Sequence, residues 1–218
     1  MIIAVVGSGG KTTLVKRMAE NYRRQGKKVL VTTSTHMSIE PDTLLSDDPA
    51  EIIARLEKDG YVMAGVEDTH KIKELSPATY EAVCPHADVV LVEADGSKHL
   101  PIKYPNATEP VIYSNTEEII IVCGLHALGK PAKEVAHRLE LVKQCLGICD
   151  DTIITASHMV YLLQKGYVDP LRQKYPHMKL TIYPAWDHAP QYQDMGQYII
   201  DHLHLSSKPI QRECCTMT

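Results

Sequence analysis

The sequence lacks the long apolar run of a membrane span, since no run approaches the roughly 18 residues needed to cross a bilayer. Residues 2–6 are apolar but carry neither the basic flank nor the cleavage site of a signal peptide. The six cysteines include no C-x-x-C pair, and a chain of 218 residues does not depend on disulfides. We therefore expect a cytoplasmic protein with reduced thiols and no membrane partner.

A strong charge of either sign is also missing. Lys and Arg number 23 against 27 Asp and Glu, which is a formal net charge of -4 at pH 7. Without a basic excess, nucleic acid is not an expected partner. The length suits one hydrophobic core, so we expect a single domain over residues 1–205 and a flexible tail over residues 206–218.

Short apolar runs alternate with segments of helical periodicity. The predicted strands cover residues 2–6, 29–33, 61–66, 89–92, 119–123 and 180–183. The predicted helices cover residues 14–25, 49–59, 77–83, 133–145, 156–165 and 190–203. This alternation predicts a three-layer α/β fold with a mostly parallel central sheet.

A proline-rich segment interrupts this alternation at residues 98–114. Pro101, Pro105 and Pro110 predict that it is neither a helix nor a central strand. An ordered loop of this length is usually functional.

A glycine-rich loop stands where the first strand meets the first helix. Its residues are Gly7, Ser8, Gly9, Gly10, Lys11, Thr12 and Thr13. Glycines let backbone N–H groups converge on an anion, and the helix N-terminus adds partial positive charge. Lys11 then reaches the β- and γ-phosphates and the Thr12 hydroxyl ligates Mg²⁺, as in a P-loop NTPase.

The loop departs from the strict G-x-x-x-x-G-K-[ST] pattern, because Val5 stands where that pattern has its first glycine. It is closer to a G-x-x-G-K-T-T variant, which resembles the ATP-binding loop of the Mur ligases. The alternative interpretation is a tight strand-to-helix turn with a solvated lysine.

Two acids follow the apolar run at residues 89–92. Glu93 or Asp95 is expected to hold Mg²⁺, and Asp95 is also a candidate to orient an attacking water. Hydroxyls at the end of the second strand, on Thr33 and Thr35, are candidates to contact the nucleotide. The predicted metal ligands are therefore Thr12, Glu93 and Asp95.

Further cations are candidates for anion contacts. Lys98, in the proline-rich loop, is assigned a catalytic role with Lys11 and Asp95, whereas exposed loop lysines usually have no specific role. His126 follows a predicted strand, and His137 and Arg138 stand near a predicted helix start. The roles of these three side chains stay open, because a lone histidine is more often a packing or surface residue.

Several of these motifs recur together in one known family. They are residues 6–13, 31–37, 93–98, 101–103, 109–112, 124–130 and 137–140. Over residues 1–190 the chain resembles the YqeC family, accessory proteins of selenium-dependent molybdenum hydroxylases. The resemblance implies a P-loop NTPase that acts in maturation of a molybdenum hydroxylase, with that enzyme or its cofactor-assembly proteins as partner.

We expect Mg-dependent binding of a nucleoside triphosphate and weak or partner-stimulated hydrolysis. ATP is the default nucleotide, and GTP or another NTP stays open because no Asn-Lys-x-Asp motif selects a base. One alternative is a Mur-like ligase or transferase acting on a small anionic substrate. Another is a regulatory module that binds nucleotide without turnover. A homodimer is common among P-loop maturation factors and also stays open.

Overall fold

The computed structural model describes residues 1–187 and 189–203. The predicted tail at residues 206–218 lies outside the described residues and stays a prediction. The strands of the described chain are β1 (Ile2–Ser8), β2 (Val29–Thr33), β3 (His36–Ser38), β4 (Leu44–Leu45), β5 (Tyr61–Asp68), β6 (Lys71–Lys73), β7 (Val89–Glu93), β8 (Ile102–Lys103), β9 (Glu118–Gly124), β10 (Ala136–His137) and β11 (Lys179–Ala185).

The helices connect these strands. They are α1 (Lys11–Arg24), α2 (Pro49–Asp59), α3 (Pro77–Val83), α4 (Ala132–Val135), α5 (Leu139–Leu146), α6 (Ala156–Leu163), α7 (Asp169–Lys174) and α8 (Gln193–His202). A π-helical segment, Gln164–Val168, joins α6 to α7.

The main sheet has the order β11-β9-β1-β7-β2-β5-β6-β3, with β4 paired to β5. The pairs from β11 through β5 are parallel, because these strands are apolar runs covered on both faces. At the other end of the sheet, β6 pairs in antiparallel orientation with both β5 and β3. The predicted three-layer α/β fold with a mostly parallel sheet is confirmed.

Helices cover both faces of this sheet. On one face, Leu14 and Val15 of α1 share a hydrophobic cluster with Val5. On the other face, α2 and α3 pack over β2 and β7, and α6 and α8 pack over β9 and β11. Because the parallel strands share one direction, the carboxyl ends of β1, β2, β7 and β9 meet at one edge of the sheet.

The predicted helix over residues 133–145 is wrong. After α4 the chain becomes extended, and β10 pairs in parallel with β8 of the proline-rich loop. Arg138 then takes φ 58°, which a right-handed helix does not contain, and α5 begins only at Leu139. Pairing with a distant strand overrides the local helical periodicity.

The proline-rich loop at residues 98–114 contains the short strand β8, which lies outside the main sheet. The loop is therefore neither a helix nor a central strand, as predicted.

Candidate functional site

The glycine-rich loop passes so close to its neighbours that side chains are excluded from it. Gly7 has φ +93° and Gly9 has φ +76°, both in the region that favours glycine. A Cβ on Gly7 would lie 2.1 Å from the Val122 carbonyl oxygen, and one on Gly9 would lie 2.6 Å from the Gly124 Cα. The loop is therefore held against the end of β9 by backbone contacts that only glycine allows.

The loop leads directly into α1. Gly10 is the N-cap residue, and within the described chain no side chain caps this helix. The first N–H groups of a helix have no intrahelical partner. The loop therefore offers uncapped amides and the positive end of the helix dipole to a ligand.

A cleft of about 570 Å³ opens above this helix start. Its lining comprises Gly9, Gly10, Lys11, Thr12, Thr13, Thr35, His36, Met37, Ser38, Lys71, Glu93, Gly96, Ser97, Lys98, His99, Glu109, His126, His137 and Arg138. Four of these are Lys or Arg and two are Glu, a net charge of +2 with the histidines neutral. The cleft is therefore cationic within a chain of net charge -4.

Lys11 lies at the floor of the cleft and is almost fully buried. Its Nζ donates to the Gly7 carbonyl at 2.8 Å and to the Ser97 hydroxyl at 3.3 Å. It also forms an ion pair with Asp95 Oδ1 at 3.2 Å. A buried lysine between the glycine-rich loop and an acid is suited to hold an anionic group in the cleft.

Thr12 and Glu93 face each other in the cleft. The Thr12 hydroxyl donates to Glu93 Oε2 at 3.0 Å. Burial raises the pKa of Glu93, and the positive charge of Lys11 and the hydrogen bond from Thr12 act in the opposite direction. A hydroxyl beside a carboxylate is the oxygen donor set that Mg²⁺ prefers, and the ion would complete its shell with water and phosphate oxygens. These two residues fit the predicted metal.

Asp95 lies behind the cleft wall and is fully buried. Its Oδ2 accepts the Gly7 N–H at 3.0 Å and the Tyr167 hydroxyl at 2.9 Å. The same oxygen pairs with Lys103 Nζ at 3.1 Å, so both carboxylate oxygens already have cationic partners. Asp95 is not in the cleft lining. Its contacts are those of a residue that positions the glycine-rich loop.

Lys103 extends this ionic network to Glu109, which lines the cleft. Its Nζ donates to Glu109 Oε2 at 2.9 Å and to the Gly96 carbonyl at 2.6 Å. Glu109 in turn binds the Arg138 guanidinium through both carboxylate oxygens. Sequence reasoning assigned no role to Glu109 or Tyr167. For Glu109, its place before Pro110 in a long ordered loop was a sequence signal of a functional role. For Tyr167, no local sequence pattern indicates its contact with Asp95.

The remaining predicted residues fall into two groups. Thr35, Lys98, His126, His137 and Arg138 line the cleft with the residues described above. By contrast, Ser8 and Thr33 point into the protein: the Ser8 hydroxyl donates to the Pro101 carbonyl at 3.0 Å, and the Thr33 hydroxyl donates to the Glu93 carbonyl at 2.7 Å. Ser8 and Thr33 therefore shape the site from behind.

His137 lies beside the cationic network. Burial lowers its pKa, and the positive charges of Arg138 and Lys103 lower it further. The imidazole is therefore held toward its neutral form. In the described chain, no group of three or more His, Cys, Asp or Glu side chains could hold a metal ion by itself. Nor is any helix within residues 1–187 and 189–203 long and apolar enough to cross a membrane.

The fold and the site together define a class: an α/β protein whose glycine-rich loop leads from a central strand into a helix beneath a cationic cleft. The family model described as "YqeC protein" matches residues 3–140. A relative from Escherichia coli (strain K12), "Uncharacterized protein YqeC", is 32% identical over 172 residues, which are 75% of this chain and 67% of the relative. The chain belongs to the YqeC family.

Among solved structures, the chain is similar to one described as "MinC:MinD cell division protein complex" from Aquifex aeolicus. The match has a TM-score of 0.44 and 13% identity, and it covers 93% of this chain and 77% of the other.

Proposed function

We propose that this protein binds a nucleoside triphosphate with Mg²⁺ in the cleft and hydrolyses it slowly unless a partner stimulates it. The observation that carries the proposal is the Thr12–Glu93 contact of 3.0 Å beside the buried Lys11, at the uncapped start of α1. A hydroxyl, a carboxylate, a lysine and free amides at one helix start match the needs of a metal-bound polyphosphate.

Each of these groups has a distinct task. Lys11 and the amides of the loop stabilise negative charge on the β- and γ-phosphates. Thr12 and Glu93 would hold Mg²⁺, which, when bound, neutralises phosphate charge. Asp95 positions the Gly7 amide and Lys11, and Lys98 contributes positive charge to the cleft lining.

The biological setting in this proposal comes from the family resemblance. We infer that nucleotide binding or hydrolysis controls docking on a selenium-dependent molybdenum hydroxylase or on its cofactor-assembly proteins. ATP is the first nucleotide to test. A homodimer belongs to the same proposal and is checked by the mass of the protein in solution with and without nucleotide.

A ligase or transferase is the second candidate function. It is favoured by Lys98, His126 and Arg138, which line the cleft beyond the glycine-rich loop and are candidates to hold an anionic substrate. In that case a small anionic acceptor would bind beside the nucleotide. Product analysis then shows transfer to the acceptor instead of release of inorganic phosphate.

Equilibrium binding tests the proposal directly. ATP, GTP and CTP are titrated against the wild type, Lys11→Ala and Thr12→Val, with and without Mg²⁺. We expect Lys11→Ala to weaken binding at least tenfold, since it removes a charge-assisted contact. Thr12→Val should remove most of the Mg²⁺ dependence.

Each position has a matched control outside the cleft. Lys16 is an exposed lysine of α1 that pairs with Glu40, and Thr181 is a threonine of β11 whose hydroxyl donates to Glu118. Lys16→Ala and Thr181→Val should bind like the wild type. Equal binding by all variants, or no binding of any nucleotide by folded wild type, would contradict the proposal. Phosphate release, measured alone and with a candidate hydroxylase, separates hydrolysis from a module without turnover.

A further inference from the structure

Arg138 holds an unusual place in the cleft wall. It follows β10 directly and precedes α5, with φ 58°. In the register of the small sheet, His137 pairs with Lys103, which brings Arg138 next to the ionic network. A non-glycine residue in the left-handed region costs conformational energy and often marks a functional position. The residues that line the cleft include one arginine, which is Arg138.

The guanidinium of Arg138 is engaged by Glu109. Its NH2 donates to Glu109 Oε1 at 2.9 Å, and its NH1 donates to Oε2. Burial by itself would raise the pKa of Glu109, but the hydrogen bonds from Arg138 and Lys103 outweigh it and lower the pKa to about 2. Glu109 is therefore ionised at neutral pH, and the pair is closed there.

Glu109 does not depend on Arg138 alone. Lys103 Nζ, whose side chain is fully buried, donates to Glu109 Oε2 at 2.9 Å. When Arg138 leaves, Glu109 keeps this cation, so no unpaired buried carboxylate remains. The Arg138 side chain is 25% exposed, so water can solvate it during the exchange. The pair is therefore built to open at modest cost.

The other end of the ionic network reaches the glycine-rich loop. Lys103 also contacts Asp95, and Asp95 contacts Lys11. A chain of ion pairs through Glu109, Lys103 and Asp95 therefore connects Arg138 to Lys11. Both Arg138 and Lys11 line the same cleft. An arginine that contacts the transferring phosphoryl group stabilises the charge of the transition state and has a large effect on turnover.

We propose that Arg138 is the catalytic arginine of this NTPase and that Glu109 holds it away from the phosphates in the resting protein. The proposal rests on the proposed function. In the reaction, water bonds to the γ-phosphorus and the bond from that phosphorus to the bridging oxygen breaks. NDP, inorganic phosphate and one proton leave, and Arg138 contributes charge without transferring a proton. A partner that displaces Arg138 from Glu109 would stimulate turnover.

The test uses Glu109→Gln, Arg138→Ala, the double variant and a control. Glu109→Gln removes the acid and leaves Lys103 bound to Asp95 and Gly96. The control is Glu140→Gln, the same change at an exposed residue of α5 that pairs with Lys143. Three quantities are measured: the Kd for Mg-ATP, the rate of phosphate release, and the Kd for Mg-ADP with aluminium fluoride, which mimics the transition state.

We expect Glu109→Gln to raise phosphate release roughly 10- to 100-fold, the worth of one charge-assisted contact. It should tighten binding of Mg-ADP with aluminium fluoride by a similar factor and leave the Kd for Mg-ATP nearly unchanged. Arg138→Ala should abolish both gains in the double variant, and Glu140→Gln should behave as the wild type.

The failures are distinguishable. If no variant binds Mg-ATP, the proposed function itself fails. If Mg-ATP binds but Glu109→Gln changes neither phosphate release nor binding of the aluminium fluoride complex, the role of Arg138 is refuted and nucleotide binding stands. A gain in Glu109→Gln that survives in the double variant also refutes it, because the gain would then not come from Arg138.

Discussion

Replacing Tyr167 by Phe tests whether the buried network behind the cleft holds the glycine-rich loop in place. The Tyr167 side chain is fully buried at the π-helical segment, and its hydroxyl donates to Asp95 at 2.9 Å. Burial raises its pKa well above the ordinary value, and the negative charge of Asp95 raises it further. The hydroxyl therefore stays protonated at neutral pH and donates to Asp95 there.

The magnitude follows from the partner's charge. A hydrogen bond to a charged group contributes about 1.5–3 kcal/mol, and Asp95 retains the Gly7 N–H and Lys103 as partners after the change. Phe fills the same volume, so no cavity adds to this cost. For a protein of this size the loss corresponds to a fall in Tm of roughly 3 to 12 °C. We expect the free energy of unfolding to fall by about 1.5–3 kcal/mol.

The assay is urea denaturation and thermal unfolding of Tyr167→Phe against a matched control. Tyr161 lies one helix upstream and is 48% exposed, so Tyr161→Phe should change the free energy of unfolding by less than about 0.5 kcal/mol. If Tyr167→Phe is as stable as Tyr161→Phe, Asp95 does not rely on this hydroxyl. The account of the network as the support of the loop would then be refuted.

Two further predictions concern backbone and pH. Gly9→Ala and Gly26→Ala place a Cβ at nearly the same φ, +76° and +74°, but only the first meets neighbours within 4 Å. Gly9→Ala should abolish nucleotide binding or folding, whereas Gly26→Ala should lower the free energy of unfolding by only about 1 kcal/mol. Urea denaturation measures both losses. Equal losses would show that close contacts around Gly9 do not exclude a side chain there. The pKa of Glu109 is lowered from 4.5 to about 2 in the folded state. The contacts of the ionised Glu109 carboxylate therefore stabilise the folded protein above pH 4.5, and this stabilisation is lost as the pH falls from 4.5 to about 2. Urea denaturation across that range should show a smaller loss in Glu109→Gln than in the wild type, and equal losses would show that the Glu109 contacts do not stabilise the folded state.

Much of the fold is readable from local patterns. Each of the six predicted strands is present, because an apolar run bounded by turn residues buries both faces of a strand wherever it lies in the sheet. The glycine-rich loop is readable for the same local reason: three glycines between a strand and a helix serve an approach that side chains would block. The contact between Thr12 and Glu93 follows from the meeting of parallel strand ends.

Other parts depend on partners far away in the chain. The extended segment β10 exists because β8 pairs with it, although residues 133–145 have the periodicity of one helix. The different positions of Glu93 and Asp95 follow from their surroundings: Glu93 ends β7 at the cleft, whereas Asp95 lies beyond the strand among Gly7, Lys103 and Tyr167.

The sequence by itself therefore determined the α/β architecture, the loop and the residues that meet at its edge of the sheet, because those features arise from short-range periodicity and from the conformational freedom of glycine. Only the tertiary structure decided which acid lines the cleft and which supports it, and that Arg138 is bound to Glu109. The reason is that burial and ion pairing are properties of neighbours in space, which the order of residues along the chain does not specify.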